Sequence, residues 1–594
     1  MKRISVFGAF FKILPKFARV APRFFAVWLA ANLIQGIFYG LTAPATQLFL
    51  NRVVAFSAHQ AELSYVLGGL LIFGAANIIK HVANGIAYFM MQNYYRKAEG
   101  VFSLDVHRKA RRIAPILFED TAFLDDMNKT IPGIRSSAVF VGTVLHALTF
   151  YLPCYIIMAV YLLSIKPLLV VSLPLIFIPV LLTQLLRTKM FANAEDESAP
   201  VRRELEYYES CMSGREYFKE TRLLGALAYF KGFYNDSLKL LNKISFRAAL
   251  KTDVVEMAAK LLSLCGYAGI VLLLFDGLMK GEVGVASFAA VNGALYALFA
   301  LTEEMIHGYI GRAARDFGQV RNYLRFMQMQ ERGGVDSDIP ANTDISLQGV
   351  SFSYRRDGQH RKKAVDNVSV TIKKGETVAV VGENGSGKTT LVRLFTGIYL
   401  PDEGDILYGE VNTKAVSAAS LFKNISAVFQ KYQRYQMTLR ENIGISSVKS
   451  SLDDAALNEI TTQAGVDRTA SSFTNGYDTM LSREFDGVDL SGGQWQRIAI
   501  ARGLFRSHDM IVLDEPTAAI DPVEETRIYE QFAEISRSKT AIIVTHRLGS
   551  AKLADKILVM KRGRLVEQGK HEELIAANGE YARLYKAQEQ WYVR

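Results

Sequence analysis

The sequence predicts two folds in one chain: an α-helical transmembrane domain of six spans over residues 24–325, then an α/β domain over residues 345–594. Three observations carry this. Long apolar stretches are confined to the first half, the composition changes after Gln330, and a strand downstream runs straight into a glycine-rich loop and a helix. With half of its 594 residues hydrophobic and 21% charged, the chain has ample material for packed cores, which excludes a disordered protein.

Charge-free apolar stretches run from Phe24 to Leu50, Leu63 to Ile79, Ala138 to Leu163, Pro167 to Leu186, Leu261 to Phe275 and Val285 to Leu301. A helix of ~20 such residues crosses a ~30 Å hydrocarbon core, and the shorter stretches continue into sparsely charged sequence. One stretch alone would also suit a buried helix of a soluble domain; six in one half of a chain do not.

Orientation follows from the flanks. Lys2, Arg3, Lys12, Lys16, Arg19 and Arg23 precede the first span with no acidic residue among them, which places the N-terminus in the cytoplasm. The segments 51–62, 164–166 and 276–283 then fall outside and carry no basic excess. Residues 1–23 lead into an apolar stretch too long for a secretory signal and read as a cytoplasmic interfacial helix. The formal net charge of +11 is thereby assigned to a membrane face, and no nucleic-acid partner is expected. Cys154, Cys211 and Cys265 have neither disulfide-framework nor zinc-site spacing.

The inner connections, Arg96 to Arg135 and Arg187 to Asp253, are charged but keep helical spacing of apolar and aromatic residues, and read as spans continued into the cytoplasm. A ~15-residue extension reaches ~20 Å. Counting inward, Lys80, His81 and Asn84, then Glu256 and Lys260, then Glu303, Glu304 and His307 form a polar layer near the inner leaflet. Such groups line a substrate pathway or pair with one another at the boundary; Glu256 and Lys260, at i,i+4, favour pairing.

Residues 326–344, with Gly333, Gly334, Pro340 and several Asp, form a linker. Beyond it Val350, Phe352 and Tyr354, then Val368, Val370 and Ile372, alternate at strand period. The continuous apolar strand Thr377 to Val381 then enters Gly382-Glu383-Asn384-Gly385-Ser386-Gly387-Lys388-Thr389, followed by Thr390. This is a P-loop in its required strand–loop–helix context. The glycines turn backbone N–H groups toward phosphate oxygens, Lys388 neutralises the β- and γ-phosphates, and the Thr389 hydroxyl is placed for Mg2+. A second buried strand, Met510 to Leu513, ends in Asp514, suited to Mg2+, and Glu515, free to activate water. The α/β domain is thus a P-loop nucleotide-binding domain.

Leu490-Ser491-Gly492-Gly493-Gln494 narrows the reading, because here the chain resembles the ATP-binding cassette family. The resemblance extends to Tyr354, 28 positions before the P-loop, to Gln430 ending a strand, to Thr517-Ala518-Ala519-Ile520-Asp521 and to His546 after a strand. It covers residues 345–580 by motif, and the six spans match the family's type IV exporter architecture. The resemblance implies that Tyr354 stacks on adenine, that Gln430 senses Mg2+ and the membrane domain, and that His546 contacts the γ-phosphate of ATP. It also implies that Ser491, Gly492, Gly493 and Gln494 serve the nucleotide held by a partner cassette. One chain is then half of a working unit: a homodimer with two competent sites is expected, and a heterodimer stays open. Short helices near Asn128 to Arg135 and Glu204 to Gly214 are assigned by the same analogy to contacts with the cassettes. One departure lies at Glu484, followed by Phe485 and Asp486, where the family's acidic residue before the signature is displaced.

The resulting expectation is ATP-driven export of a peptide, lipid or amphipathic drug-like substrate across the cytoplasmic membrane. The first span begins near residue 24, which leaves no room for a leader-processing domain ahead of it. Two alternatives are a lipid flippase and, less favoured because Glu515 is intact, an ATP-gated channel or sensor.

Overall fold

The computed structural model describes residues 5–340, 342–354, 363–447, 452–467, 472–515, 532 and 539–592. It divides into two compact units, Met1–Arg108 with Asp125–Met329, and Lys109–Leu124 with Gln330–Arg594.

The first unit is helical. Helix α1 (Val6–Arg19) begins at Ser5, whose hydroxyl accepts from the Gly8 N–H at 3.1 Å. It buries Ala9, Ile13 and Phe17 on one face and leaves Phe7 and Phe11 exposed. The long helices α2 (Pro22–Ser57) and α3 (Leu63–Arg112) follow. Helix α4 (Thr121–His146) continues through a π-helical turn, Ala147–Tyr151, into α5 (Leu152–Ile165). After α6 (Ser172–Ser213) and the short α7 (Phe218–Leu223) comes α8 (Leu227–Met279). Finally α9 (Val285–Glu303) passes through a π-helical stretch, Glu304–Ile310, into α10 (Gly311–Met327).

Among the described residues five helical runs are long and apolar enough to cross a membrane: Pro22–Ser57, Leu63–Arg112, Thr121–Ile165, Leu227–Met279 and Val285–Met327. The remaining expected span, 167–186, covers a 3-10 turn, Pro167–Val171, and the start of α6, many of whose side chains lie outside the described residues. The expected inward extensions are present as continuous helix. The 50 residues of α3 and 53 of α8 make rods of roughly 75 to 80 Å at 1.5 Å per residue, more than twice a hydrocarbon core.

Close helix packing in this unit depends on small residues. A Cβ on Gly36 would stand 2.4 Å from the Phe150 carbonyl oxygen, and one on Gly40 2.8 Å from the Ile157 Cβ, so α2 meets the α4–α5 run only because both positions lack a side chain. Polar groups are paired within the helices. The Gln35 amide donates to Asn84 Oδ1 at 3.0 Å, and Lys80 donates to Asn77 Oδ1 at 3.0 Å. Lys260 lies 3.0 Å from Glu256 and 3.1 Å from Glu303, so part of the polar layer is an ion-paired cluster. The His307 side chain lies outside the described residues.

The second unit holds two sheets. Strands β1 (Ile345–Ser353), β2 (Lys363–Ile372), β4 (Glu403–Tyr408) and β5 (Val411–Asn412) form an antiparallel sheet in the order β2-β1-β4-β5. The second sheet has the order β10-β9-β3-β8-β7-β6, built from β3 (Thr377–Gly382), β6 (Ile425–Val428), β7 (Met510–Asp514), β8 (Thr540–Val544), β9 (Lys556–Lys561) and β10 (Arg564–Gly569). All neighbours in it are parallel except the β9–β10 edge. Its central strands are buried on both faces, which is why Val378 to Val381 and Ile511 to Leu513 read as unbroken apolar runs.

The segment Lys109–Leu124 belongs to this second unit and carries a 3-10 turn, Pro115–Glu119. Ile116 packs against the core that includes Phe395 and Tyr399, and Glu119 Oε1 accepts from Arg393 at 3.0 Å and from the Tyr399 hydroxyl at 2.7 Å. The segment Asn128 to Arg135 lies inside α4, and Glu204 to Gly214 forms the end and C-cap of α6, so neither is a separate short helix. The helical spacing read across 96–135 is broken at Ala114, held at ψ 127° ahead of Pro115.

Candidate active site

Parallel strands place the site. Because β3, β6, β7 and β8 run the same way, whatever follows their carboxyl ends gathers on one edge of the sheet. The P-loop follows β3, Gln430 follows β6, Glu515 follows β7 and His546 follows β8. They meet around a cavity of about 770 Å3, whose lining also includes Tyr354, Thr390, Leu584 and Gln588. That volume lies in the usual range for a site holding a whole small ligand.

The loop's shape demands glycine at two positions in particular. Gly382 has φ +148° and a Cβ there would sit 2.2 Å from the Met560 carbonyl oxygen; Gly387 has φ +105° and a Cβ would sit 2.4 Å from that of Ala364. Both combine a left-handed backbone with close approach, which no other residue tolerates. The helix Lys388–Phe395 starts at this turn and aims its first amides at the cavity.

Lys388 is buried and curls over the loop, donating to the carbonyls of Gly382 at 2.9 Å and Glu383 at 3.1 Å. Burial lowers its pKa, opposed by the charges of Glu515 and Asp514. Asp514 is buried beside Glu515, and desolvation, reinforced by that neighbouring charge, pushes its carboxyl up to about 6. The Thr389 hydroxyl donates to Asp514 Oδ1 at 3.4 Å.

Glu515 is held from two sides. Gln430 Nε2 donates to its Oε2 at 2.7 Å, while His546 Nδ1 lies 3.7 Å from its Oε1. Its backbone has φ +49°, an uncommon conformation for a non-glycine residue, and its N–H donates to the Val544 carbonyl at 3.1 Å. The strained turn directs the carboxylate off the end of β7 toward the cavity. Tyr354 closes the opposite wall, with its hydroxyl 3.0 Å from Thr390 Oγ1 and its ring edge-on to Phe352 and Tyr399.

The structure therefore brings together Tyr354, Gly382, Glu383, Asn384, Gly385, Gly387, Lys388, Thr389, Thr390, Gln430, Glu515 and His546. Ser386 is buried in the loop itself, and Asp514 stands behind Thr389. The signature residues are apart from this group. Ser491 and Gln494 cap the helix Gly492–Phe505 reciprocally, Ser491 Oγ accepting at 3.3 Å and Gln494 Oε1 at 2.9 Å, and the Tyr432 hydroxyl donates to the Gly492 carbonyl at 2.8 Å. Neither these nor Gly493 line the cavity. Glu484 sits in a short 3-10 turn, Arg483–Phe485, that ends at Asp486 with φ +56°. Thr517 to Asp521 lie outside the described residues.

Sequence reasoning missed one wall. Leu584 and Gln588 come from the C-terminal helix Glu580–Tyr592, and Arg583 on the same helix bonds Glu383 of the P-loop at 2.5 Å. No motif marks them; the i,i+4 spacing of Leu584 and Gln588 is the sole sequence trace of a shared face.

Comparison with known proteins agrees with this arrangement. Residues 365–518 match the ABC transporter family. The subtilin transport ATP-binding protein SpaT of Bacillus subtilis is 28% identical over 555 residues, covering 92% of this chain and 88% of that protein. An ATP-dependent lipid A-core flippase of Chromohalobacter salexigens is 30% identical over 373 residues, 62% of this chain and 63% of that protein. Among solved structures, a bacterial Atm1-family ABC exporter with ATP bound superimposes with a TM-score of 0.76 at 21% identity, covering 94% of this chain and 98% of the other, a likeness of fold. A P-loop domain with these motifs in this order, behind a helical domain of exporter fold, makes residues 365–518 an ABC transporter domain and the chain an ATPase coupled to transmembrane transport.

Proposed function

We propose that the chain exports a peptide, lipid or amphipathic substrate across the cytoplasmic membrane by alternating access, driven by ATP hydrolysis at two composite sites of a homodimer. The observation that carries this is Glu515, fixed between Gln430 and His546 at the end of β7 beside the P-loop. In this reading Lys388 exchanges the two loop carbonyls it now holds for phosphate oxygens, and the P-loop amides hold the β-phosphate. Tyr354 stacks on the adenine. Glu515 takes the proton of the attacking water through a carboxylate oriented by the Gln430 amide, and His546 faces the γ-phosphate.

Mg2+ fits the residues present. The buried Asp514 carboxylate, the Thr389 hydroxyl and the Gln430 side chain are hard oxygen donors, and the strain of placing Asp514 beside Glu515 is what a divalent cation relieves. When bound, it supplies neutralising charge to the phosphates.

Ser491 to Gln494 stand outside the cavity at the start of one helix, which supports their use on a nucleotide held by a second chain. The basic N-terminal segment supports a cytoplasmic N-terminus and cassette. SpaT is named for transport of subtilin, which supports a peptide substrate; the flippase relative supports a lipid one. The reading is tested by ATPase rate in lipid nanodiscs against a panel of peptides, lipids and amphipathic drugs. Stimulation by one class identifies the cargo, and leaflet reversal of a labelled lipid marks a flippase. A chain whose ATPase responds to none of them and which moves no labelled solute or lipid is not the exporter described here.

A further inference from the structure

The C-terminal helix Glu580–Tyr592 is tied to the nucleotide cavity at two separate points. Gln588 uses both halves of its amide: Oε1 accepts from the Leu548 N–H at 2.9 Å, and Nε2 donates to the His546 carbonyl. Its side chain therefore spans Arg547 and holds the backbone that leaves His546. The His546 imidazole itself is about half exposed and reaches toward Glu515. Five residues earlier, Arg583 bonds Glu383 Oε1 at 2.5 Å and Glu580 Oε1 at 2.6 Å.

The helix is itself well anchored. Glu567 accepts from the N–H groups of Glu580 at 2.5 Å and Tyr581 at 3.0 Å, which caps the helix start with a carboxylate. The Tyr581 ring is fully buried and its hydroxyl lies 2.8 Å from His571 Nδ1. Arg583 and then Lys561 hold the Glu580 carboxyl down to about 2, so this end stays ionised and paired over the physiological range. A rigid rod pinned at one end presents Arg583 to the P-loop and Gln588 to the histidine turn.

We propose that the C-terminal helix is a positioning element of the ATPase site, in which Gln588 sets the place of His546 relative to Glu515 and Arg583 sets the P-loop through Glu383. Neither residue is catalytic; each acts through another. The two contacts have separable consequences. The histidine turn faces the bond that breaks, so Gln588 governs turnover. The P-loop governs nucleotide capture, so Arg583 governs the ATP requirement. This rests on the assignment of His546 and the P-loop to ATP.

Steady-state ATPase of the full-length protein in lipid nanodiscs tests it. Gln588→Glu keeps an oxygen acceptor for the Leu548 N–H but removes the donor to the His546 carbonyl. It should lower kcat about three- to tenfold, as for one neutral hydrogen bond, a larger change than in the KM for ATP. Arg583→Glu sets three carboxylates together, with Glu383 and Glu580, and should raise the KM about two- to fivefold, the scale of a half-exposed ion pair. Arg583→Lys keeps a cation beside Glu383 and should hold the KM within about twofold of wild type. Parallel melting curves should stay within a degree or two of wild type. His546→Ala separates the two levels of the account. If it turns over like wild type, the site assignment fails. If it is inactive while Gln588→Glu and Arg583→Glu both keep wild-type kcat and KM, the site stands and the positioning role of the helix is wrong. A KM raised as much by Arg583→Lys as by Arg583→Glu also overturns the role given to Arg583.

Discussion

Gln430 and Glu515, 85 positions apart in sequence, share a hydrogen bond of 2.7 Å that occupies one carboxylate oxygen of Glu515 and leaves the other toward His546. The bond links the ends of neighbouring parallel strands β6 and β7, so the carboxylate's direction is set by the sheet. A base that is already aimed needs no reorganisation when water arrives.

Loss of Glu515 and loss of Lys388 should therefore differ in kind. Glu515→Gln keeps the shape and the Gln430 contact but removes the base, and should lower kcat by about 100- to 10,000-fold while ATP stays bound. Lys388→Ala removes the buried cation and should abolish productive ATP binding. Nucleotide retention on rapid gel filtration, measured beside ATPase rate, separates them; wild-type turnover by Glu515→Gln would remove the base assignment.

Tyr354 should contribute a ring rather than a hydroxyl. Its hydroxyl meets Thr390 at 3.0 Å, an interaction between two protein groups, and the residue lines the cavity. Phe or Trp should keep the ATP Kd within about threefold, and Ala should weaken it by about five- to tenfold, the scale of one aromatic contact. Fluorescent ATP titration reads this directly, and equal affinity for Ala and wild type would take Tyr354 out of the site.

Asp514 predicts a pH dependence. Its folded pKa of about 6 stands above the ordinary 3.8, so the protonated form is favoured on folding. Any stability from this group is complete below the ordinary value and is lost as pH rises through about 6. Mg2+ requires the ionised carboxylate, so binding should release a proton and weaken as pH falls below about 6. Mg2+-dependent ATP binding followed from pH 5 to 8 should show this slope, and Asp514→Asn should weaken binding and flatten it. A wild-type affinity level across that range would contradict the assignment.

In the membrane unit Lys260 bridges Glu256 and Glu303. Lys260→Met should leave two carboxylates facing each other and lower the melting temperature, while the triple change with Glu256→Gln and Glu303→Gln should recover most of the loss. If Lys260→Met melts like wild type but alters substrate-stimulated ATPase, the cluster serves the substrate pathway and not stability.

The parts of the site legible in the sequence were those in which phosphate chemistry dictates residue type at fixed offset: the glycines and Lys388 of one loop, and the Asp514-Glu515 pair ending an apolar strand. Spans were legible because lipid forces uninterrupted apolar runs. The turn Pro115–Glu119 reads as continued helix in the sequence because the apolar spacing on either side of it is helical; Ala114-Pro115 is the signal against it. The link from Arg583 to Glu383 crosses 200 positions and depends on where the last helix docks after the sheet has formed, which no local pattern encodes.

In the proposed dimer each ATP lies between two chains, with the P-loop on one side and Ser491 to Gln494 of the partner on the other. Single cysteines introduced as Asn384→Cys and Ser491→Cys, both at exposed positions, in a background lacking Cys154, Cys211 and Cys265, test it most directly. A short bifunctional thiol reagent, with Glu515→Gln present to hold the ATP-bound state, relaxes the Cα separation of under ~7 Å that a direct disulfide needs. Mixing chains that each carry one of the two cysteines should give an ATP-dependent cross-linked dimer. Linkage only within doubly substituted single chains, and none between the singly substituted ones, would contradict the composite site.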